Sequence, residues 1–359
     1  MYVGNVGDYS GVLGTLFGAS QPTLEVWAKY TNAHGGLNGH PVVVISADSG
    51  GDPSTDETDV QQMVQQDHVI AMLGPMDVLD YNGSLQYLVG INMPVIGGFL
   101  AADEFFDHPN FFPEGASGFD LAEVGIPVAV RQGFKKAAVV YCVETPLCQQ
   151  GASVLQGSGG SVAKSGGTLV YSAATSLTSP SFTSQCLGAQ GAGAQVIELI
   201  LDAASIERFA QDCAAQNYNP LYETVSLGAV PSLDTVPQLN GLILPSNTFP
   251  FTANSTPATQ AFQTAMSEDS PATPVGVAAS MEWTSGQLLL AGSKDLGTNP
   301  TSAQLTAGLD SLKEDTLDGL TVPLTFNAGG DPTIPSCVFV MKIQGGTWTA
   351  PNGLTDSCL

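Results

Sequence analysis

The sequence predicts an α/β protein of two domains, and three observations carry that reading. Short runs of β-branched residues alternate with amphipathic segments of helical length. The alternation runs through the first hundred residues and begins again after residue 120. The chain has 359 residues, which at about 150 residues per domain suits two domains. Strands joined by helices imply parallel sheets covered on both faces.

The elements follow in order. Tyr2–Val6 reads as a strand, followed by the Gly-rich loop Gly7-Asp-Tyr-Ser-Gly-Val-Leu-Gly14. Gln21–Ala33 reads as a helix with Leu24, Trp27 and Ala28 on one face, stopped by His34-Gly-Gly-Leu-Asn-Gly39. Pro41–Ala47 is a β-branched strand. Ser54-Thr-Asp-Glu57 fits a capping box that opens a helix running to Gln66. Val69–Leu73 and Pro94–Ile96 read as strands around a helix at Tyr81–Gly90. In the second run, Leu121–Gln132 is a helix, Ala137–Tyr141 a strand and Gln149–Ser165 a Gly-interrupted helix. Thr168–Ser172 and Gln195–Leu199 are strands, and Ala203–Ala215 is a helix. Ligands of such sheets bind at the carboxyl ends of strands. That directs attention to the loops after Val6, Leu73, Ile96, Tyr141, Leu201 and Ser226.

Composition removes several functions. The chain has 9 Lys+Arg against 33 Asp+Glu, a net charge of −24. It is not built to neutralise phosphates, so no nucleic-acid partner is expected, and an anionic membrane surface repels it. No apolar run is long enough to span a bilayer. A hydrophobic content of 43% argues against disorder. Met1–Gly7 has neither a basic nor a long apolar leader character and reads as a strand from the start. A signal peptide is therefore expected to have been removed.

The six cysteines are Cys142, Cys148, Cys186, Cys213, Cys337 and Cys358. None forms a C-x-x-C pair or sits in a His cluster, so no metal site is expected. Sequence alone does not dictate their pairing. Proximity suggests Cys142–Cys148, Cys186–Cys213 and Cys337–Cys358. Six buried thiols of a cytosolic protein are the other reading. The even count, with one cysteine beside the chain end, favours disulfides and an oxidising compartment.

No catalytic constellation is evident. His34, His40, His68 and His108 lie in turns or before a strand, and there is no zinc-protease helix. Gly115-Ala-Ser-Gly118 has the wrong spacing for a nucleophile elbow. Gly191-Ala-Gly193 is followed by a strand rather than a helix, so a dinucleotide loop is not expected. Asp48, Asp52, Asp56, Glu57 and Asp59 do not match a calcium loop and read as a solvated loop and first helical turn. No enzyme activity and no cofactor are expected.

One resemblance is specific. It rests on Asp8-Tyr-Ser-Gly11, Asn32-Ala-His-Gly-Gly-Leu-Asn-Gly39, Asp48 with Asp52-Pro53, Val69-Ile-Ala-Met-Leu-Gly74 and Ile91-Asn-Met-Pro-Val-Ile96, in that order. Later segments, Lys136-Ala-Ala-Val-Val140, Leu239-Asn-Gly-Leu-Ile243 and Pro323-Leu-Thr-Phe326, fall where they should. The chain resembles the type I solute-binding proteins of ABC importers, the branched-chain amino-acid (Leu/Ile/Val) group, over essentially its whole length. The resemblance implies two doubly wound Rossmann-like lobes joined by three hinge crossovers, near residues 119, 247 and 328. Residues 1–119 plus 248–328 would form lobe one, and 120–247 plus 329–359 lobe two, which would then hold all six cysteines. It also implies a monomer outside the cytoplasm, periplasmic or lipid-anchored at the cell surface. Such a protein captures a small molecule in a closing cleft and delivers it to ABC permease membrane subunits. A ligand-sensing receptor module of the same fold, or a branched-chain amino-acid binder, is the alternative.

The resemblance further implies which residues line the site. The family's serine position after the third strand corresponds to Val78, and its threonine after the fourth strand to Ala101. No acid stands near Ser226-Leu-Gly228 to hold a ligand amine, and the family's second-lobe tyrosine aligns with Asp202. The expected ligand-binding set is Tyr9, Phe17, Met76, Asp77, Val78, Leu79, Phe99, Leu100, Ala101, Tyr141, Asp202 and Leu227. It suits an apolar or aromatic body, with Asp77 and Asp202 available to a ligand hydroxyl or amine. The other reading places the apolar residues in the core and both acids in solvent.

Overall fold

The computed structural model describes residues 1–101 and 104–358. The chain divides into two compact units, Met1–Ala116 with Asn247–Pro335 and Ser117–Ser246 with Ser336–Leu359. Residues 329–335, expected with the second unit, belong to the first. Thr325 and Thr333 exchange backbone hydrogen bonds there and hold the segment back.

In chain order the first unit supplies β1 (Tyr2–Gly7), α1 (Gly14–Phe17), α2 (Ser20–Ala33), β2 (Val43–Asp48), α3 (Pro53–Gln65) and β3 (Met72–Leu73). It continues with α4 (Leu85–Gly90), β4 (Val95–Ile96), α5 (Glu104–Asp107) and β5 (Phe111–Phe112). The second unit follows with α6 (Gly118–Arg131), β6 (Lys136–Cys142), α7 (Pro146–Ser153), α8 (Ser161–Lys164) and β7 (Thr168–Thr175). Then come α9 (Thr183–Ala192), β8 (Val196–Ile200), α10 (Ala203–Ala215), β9 (Leu221–Thr224) and β10 (Ile243–Ser246). The chain returns to the first unit for α11 (Pro257–Asp269), α12 (Val277–Gly292) and α13 (Ser302–Asp310). It ends in the second with β11 (Cys337–Ile343), β12 (Trp348–Thr349) and β13 (Ser357–Cys358).

The first sheet has the order β2-β1-β3-β4-β5 and is parallel throughout. Leu24 and Trp27 on the expected face of α2 are fully buried, and α2 packs on α12 and α11. The helix after β2 is capped differently from expectation. Asp52, not Ser54, is the cap: its carboxylate accepts the Thr55 N–H at 2.8 Å, with Pro53 opening the first turn. The expected helix at Tyr81 starts only at Leu85, because the Ser84 N–H is taken by the Asp56 carboxylate at 2.7 Å.

The second sheet has the order β12-β11-β10-β9-β8-β6-β7, with β13 beside β11. Its β7-to-β10 part is parallel. β11 runs antiparallel to β10, β12 and β13, so the sheet is mixed rather than purely parallel. The segment expected as one interrupted helix at 149–165 is two short helices, α7 and α8, separated by a Gly-rich turn. The three disulfides are Cys142–Cys148, Cys186–Cys213 and Cys337–Cys358. Cys337 and Cys358 face each other directly across β11 and β13.

The core of the second unit contains two acids. Glu198 of β8 and Glu223 of β9 are in-register neighbours, both wholly buried. α6 passes over them at Gly125, where a Cβ would lie 1.7 Å from Glu223 Oε1. Val139 of β6 and Ile243 of β10 flank them in the sheet. α6 carries Asp120, Glu123 and Arg131 elsewhere along its length. Neither glutamate forms an ion pair among the described residues. Burial pushes Glu198 up to about 8. Burial, then the neighbouring Glu198 charge, raises Glu223 well above the usual carboxylate range. The pair therefore keeps protons that the unfolded chain releases.

Two outcomes are expected. Replacing Cys186 and Cys213 together by Ser opens a span of 27 residues and lowers unfolding stability by about 3 kcal/mol in urea titration; an unchanged midpoint would contradict the bridge. The glutamate pair makes stability fall as pH rises from about 4.5 to about 8, because the folded state holds the extra protons. Glu223→Gln keeps a donor beside Glu198 and is expected to make that slope shallower. An identical slope in the variant would show that the pair does not titrate as a buried unit.

Candidate functional site

The first unit's candidate site lies at the carboxyl ends of β1, β3 and β4. Both β3 and β4 are followed at once by glycine. Gly74 has a φ of 59°, and a Cβ there would lie 1.8 Å from Glu282 Oε2. Gly97 makes the same approach over Ser285, at 1.9 Å from its Oγ. Only glycine lets the two loops turn this close to α12.

Carboxylates tie the loops together from inside. Asp8, 1% exposed, accepts the Val78 N–H at 3.0 Å and the Leu79 N–H at 3.1 Å on Oδ2. The Ser49 hydroxyl donates to its Oδ1 at 3.3 Å. Asp48 accepts from the backbone of Tyr9, Ser10 and Gly50 at 3.0, 3.2 and 3.0 Å. The Tyr9 hydroxyl donates to Asn5 Oδ1 at 2.6 Å, and Asn5 Nδ2 donates to the carbonyls of Leu73 and Gly74. The stretch from Asp48 to Asp59 is thus not a merely solvated run. Asp48 braces the β1 loop, Asp52 caps α3, and Asp56 is buried and pushed up to about 6 by burial.

The expected residues of this unit are brought to the same three strand ends. Phe17 and Phe99 pack edge to face with centroids 5.3 Å apart. Met76 is buried and bridges Gly7. Val78 and Leu100 are buried, while Tyr9, Leu79 and Ala101 remain partly exposed. Asp77 is buried. With Asp56, Val60, Leu85 and Phe105 it lines a small internal cavity of about 20 Å³, room for one water. In the second unit, Tyr141, Asp202 and Leu227 stand at the ends of the adjacent strands β6, β8 and β9. Asp202 is the N-cap of α10, with no side-chain cap hydrogen bond. Leu227 is buried in the single turn Ser226–Gly228.

Two acids beneath the first unit's loops escaped the sequence reading. Glu282 of α12 and Glu114 after β5 are wholly buried, and none of their four carboxyl oxygens has a donor among the described residues at hydrogen-bond geometry. Burial, and then the Glu114 charge, raises Glu282 well above its ordinary value. Burial does the same to Glu114. Burial and Glu282 together raise the Tyr9 phenol. α12 is buried on nearly all sides and mixes Ser280, Thr284 and Ser285 with its apolar residues, so no periodicity marks Glu282 as inward-facing. Among the described residues the arrangement holds no nucleophile–base pair.

The approach of Gly74 to Glu282 is testable by a double-mutant cycle. Gly74→Ala is expected to cost about 2 kcal/mol through the clash and the left-handed backbone. On a Glu282→Ala background the same change is expected to cost less, because the clashing oxygen is gone. Equal costs on both backgrounds, read by urea unfolding, would contradict the contact.

No curated protein sequence matches the chain. The periplasmic binding protein family model matches residues 1–347. Solved structures share the fold at low identity. A possible leucine/isoleucine/valine-binding protein from Rhodopirellula baltica SH 1 has a TM-score of 0.82 at 15% identity, covering 98% of this chain and 95% of that one. An ABC transporter solute-binding protein from R. palustris, in complex with benzoate, has a TM-score of 0.79 at 17% identity over 100% and 97%. A fatty acid ABC transporter substrate-binding protein from Thermomonospora curvata has a TM-score of 0.79 at 16% identity over 98% and 91%. With two α/β units, three passages of the chain between them and a family match over nearly its whole length, the chain belongs to the periplasmic binding protein family.

Proposed function

We propose that this protein is the solute-binding component of an ABC importer, working outside the cytoplasm, and that its solute is a small molecule with an apolar ring or chain and one polar end. One observation carries the reading. The Val78 and Leu79 N–H groups are already bound by Asp8, and the side chains at the two matching hydroxyl positions are Val78 and Ala101. A zwitterionic amino acid would find few donors for its carboxylate on these loops. A charged group left without partners costs on the order of 1–3 kcal/mol, a tenfold to hundredfold loss of affinity. The second unit's loop offers Leu227 and Ala229 where an amine would need an acid. Benzoate in the R. palustris relative and the fatty acid named for the T. curvata relative are ligands of this kind.

The remaining assignments have physical support. Three disulfides suit an oxidising compartment. No helix among the described residues is long and apolar enough to cross a membrane, and the proposed partners are the permease subunits of the importer. The protein acts as a monomer and as a binder rather than a catalyst.

A calorimetric panel tests the reading. Benzoate, cyclohexane carboxylate, octanoate and benzyl alcohol are set against leucine, isoleucine and valine. At least one ring or chain compound is expected to bind tenfold or more tightly than any of the three amino acids, by the donor argument above. Submicromolar leucine binding with no heat from the others would overturn it.

A further inference from the structure

The Asp8 carboxylate has a second acidic neighbour. Asp80 is wholly buried and follows directly on Leu79, whose N–H the Asp8 carboxylate accepts at 3.1 Å, so the Asp8 charge acts on it. Neither of its oxygens has a donor among the described residues at hydrogen-bond geometry. It sits one residue beyond Leu79, and its carbonyl accepts the Gly83 N–H at 2.7 Å to close the turn. Two neighbouring carboxyl groups shielded from water favour a state in which one of them keeps its proton.

The surroundings supply no counter-charge. α3 brings Asp56, whose carboxylate accepts the Ser84 N–H, together with Asp52 and Asp59 at its outer positions. The end of β2 brings Asp48, occupied by three backbone N–H groups. The loop itself brings Asp77, and the Tyr81 phenol follows. Glu282 of α12 lies on the Tyr9 side. No Lys, Arg or His is among these groups.

We propose that Asp80 is the positioning residue of the Met76–Leu79 loop: it donates a proton to Asp8, and that shared proton holds the loop in its solute-binding position. The proposal rests on the reading above, in which this loop touches solute. Val78, Leu79 and Asp80 are consecutive. Two of them offer N–H groups that Asp8 attracts, and the third carries a carboxyl that Asp8 repels once it ionises. Losing the proton therefore sets one joint against itself. The binding position is favoured at low pH, and the preference is lost as pH rises through the range set by burial. Burial pushes Asp80 up to about 7, so the window runs from about pH 4, the ordinary carboxylate value, to about pH 7.

Hydrogen exchange on the full chain, without solute, reads the joint directly. Protection factors of the Val78 and Leu79 amides, corrected for intrinsic exchange, are measured from about pH 5 to about pH 7.5. In the wild type they are expected to fall at least tenfold, since each pH unit in this window changes the opening equilibrium up to about tenfold per proton. Asp80→Asn keeps a donor beside Asp8 but does not titrate, and its profile is expected to be flat. A flat wild-type profile overturns the proposal, and that outcome does not depend on the variant folding. An equal fall in Asp80→Asn overturns it as well. Benzoate affinity by calorimetry at the same two pH values separates the two readings. It is expected to fall with the amides in the wild type and to stay level in Asp80→Asn. Amides that behave as expected, with no benzoate, ring or chain compound bound at either pH, support the shared proton and refute the solute class.

Discussion

The hold of the Asp8 carboxylate on two backbone N–H groups is the contact on which the first unit's site depends. It joins the end of β1 to the loop after β3, so the two move as one body. The contact is shielded from water, Asp8 being buried. Its cost is chemical: donors that such loops present to a ligand are turned inward. Asp48 does the same to the backbone at Tyr9 and Ser10. The loops are left with the side chains of Met76, Val78, Leu79, Phe99, Leu100 and Ala101, and the proposed selectivity rests on shape and apolar area.

The charge imbalance sets the terms for the rest of the interior. With 9 cationic side chains against 33 acidic ones, buried carboxyl groups cannot be neutralised by ion pairs. Glu198 stands beside Glu223 and the Glu114 charge acts on Glu282, with no cation against either pair among the described residues. A buried carboxylate without a partner is far costlier than a buried carboxylic acid, so burial pushes Glu198, Glu223, Glu114, Glu282 and Asp80 toward the protonated form. Both units thus carry buried carboxyl groups whose burial favours the protonated form.

Much of the architecture was legible in the sequence, for reasons that can be named. Ala203–Ala215 has a clean helical period and was bounded correctly. The three cysteine pairs were nearest neighbours in sequence, and they are bonded as such. The ordered motifs around Asp8, Gly74 and Ile96 gave the family. What stayed hidden depends on register and long-range contact. Glu198 and Glu223 lie far apart in sequence, and only the pairing of β8 with β9 makes them neighbours. β11 returns antiparallel from nearly a hundred residues beyond β10, with nothing local to signal it. Asp77 stands between Met76 and Val78 in an irregular loop, where no period tells inward from outward; it lines the internal cavity.

Native mass spectrometry of protein freshly purified from its own host reports most directly what the protein carries. The predicted result is a single co-purified small molecule whose mass and fragmentation identify an apolar ring or alkyl compound with one polar end. Leucine, isoleucine or valine as the bound species would contradict the account, because it would require the donors that Asp8 has taken.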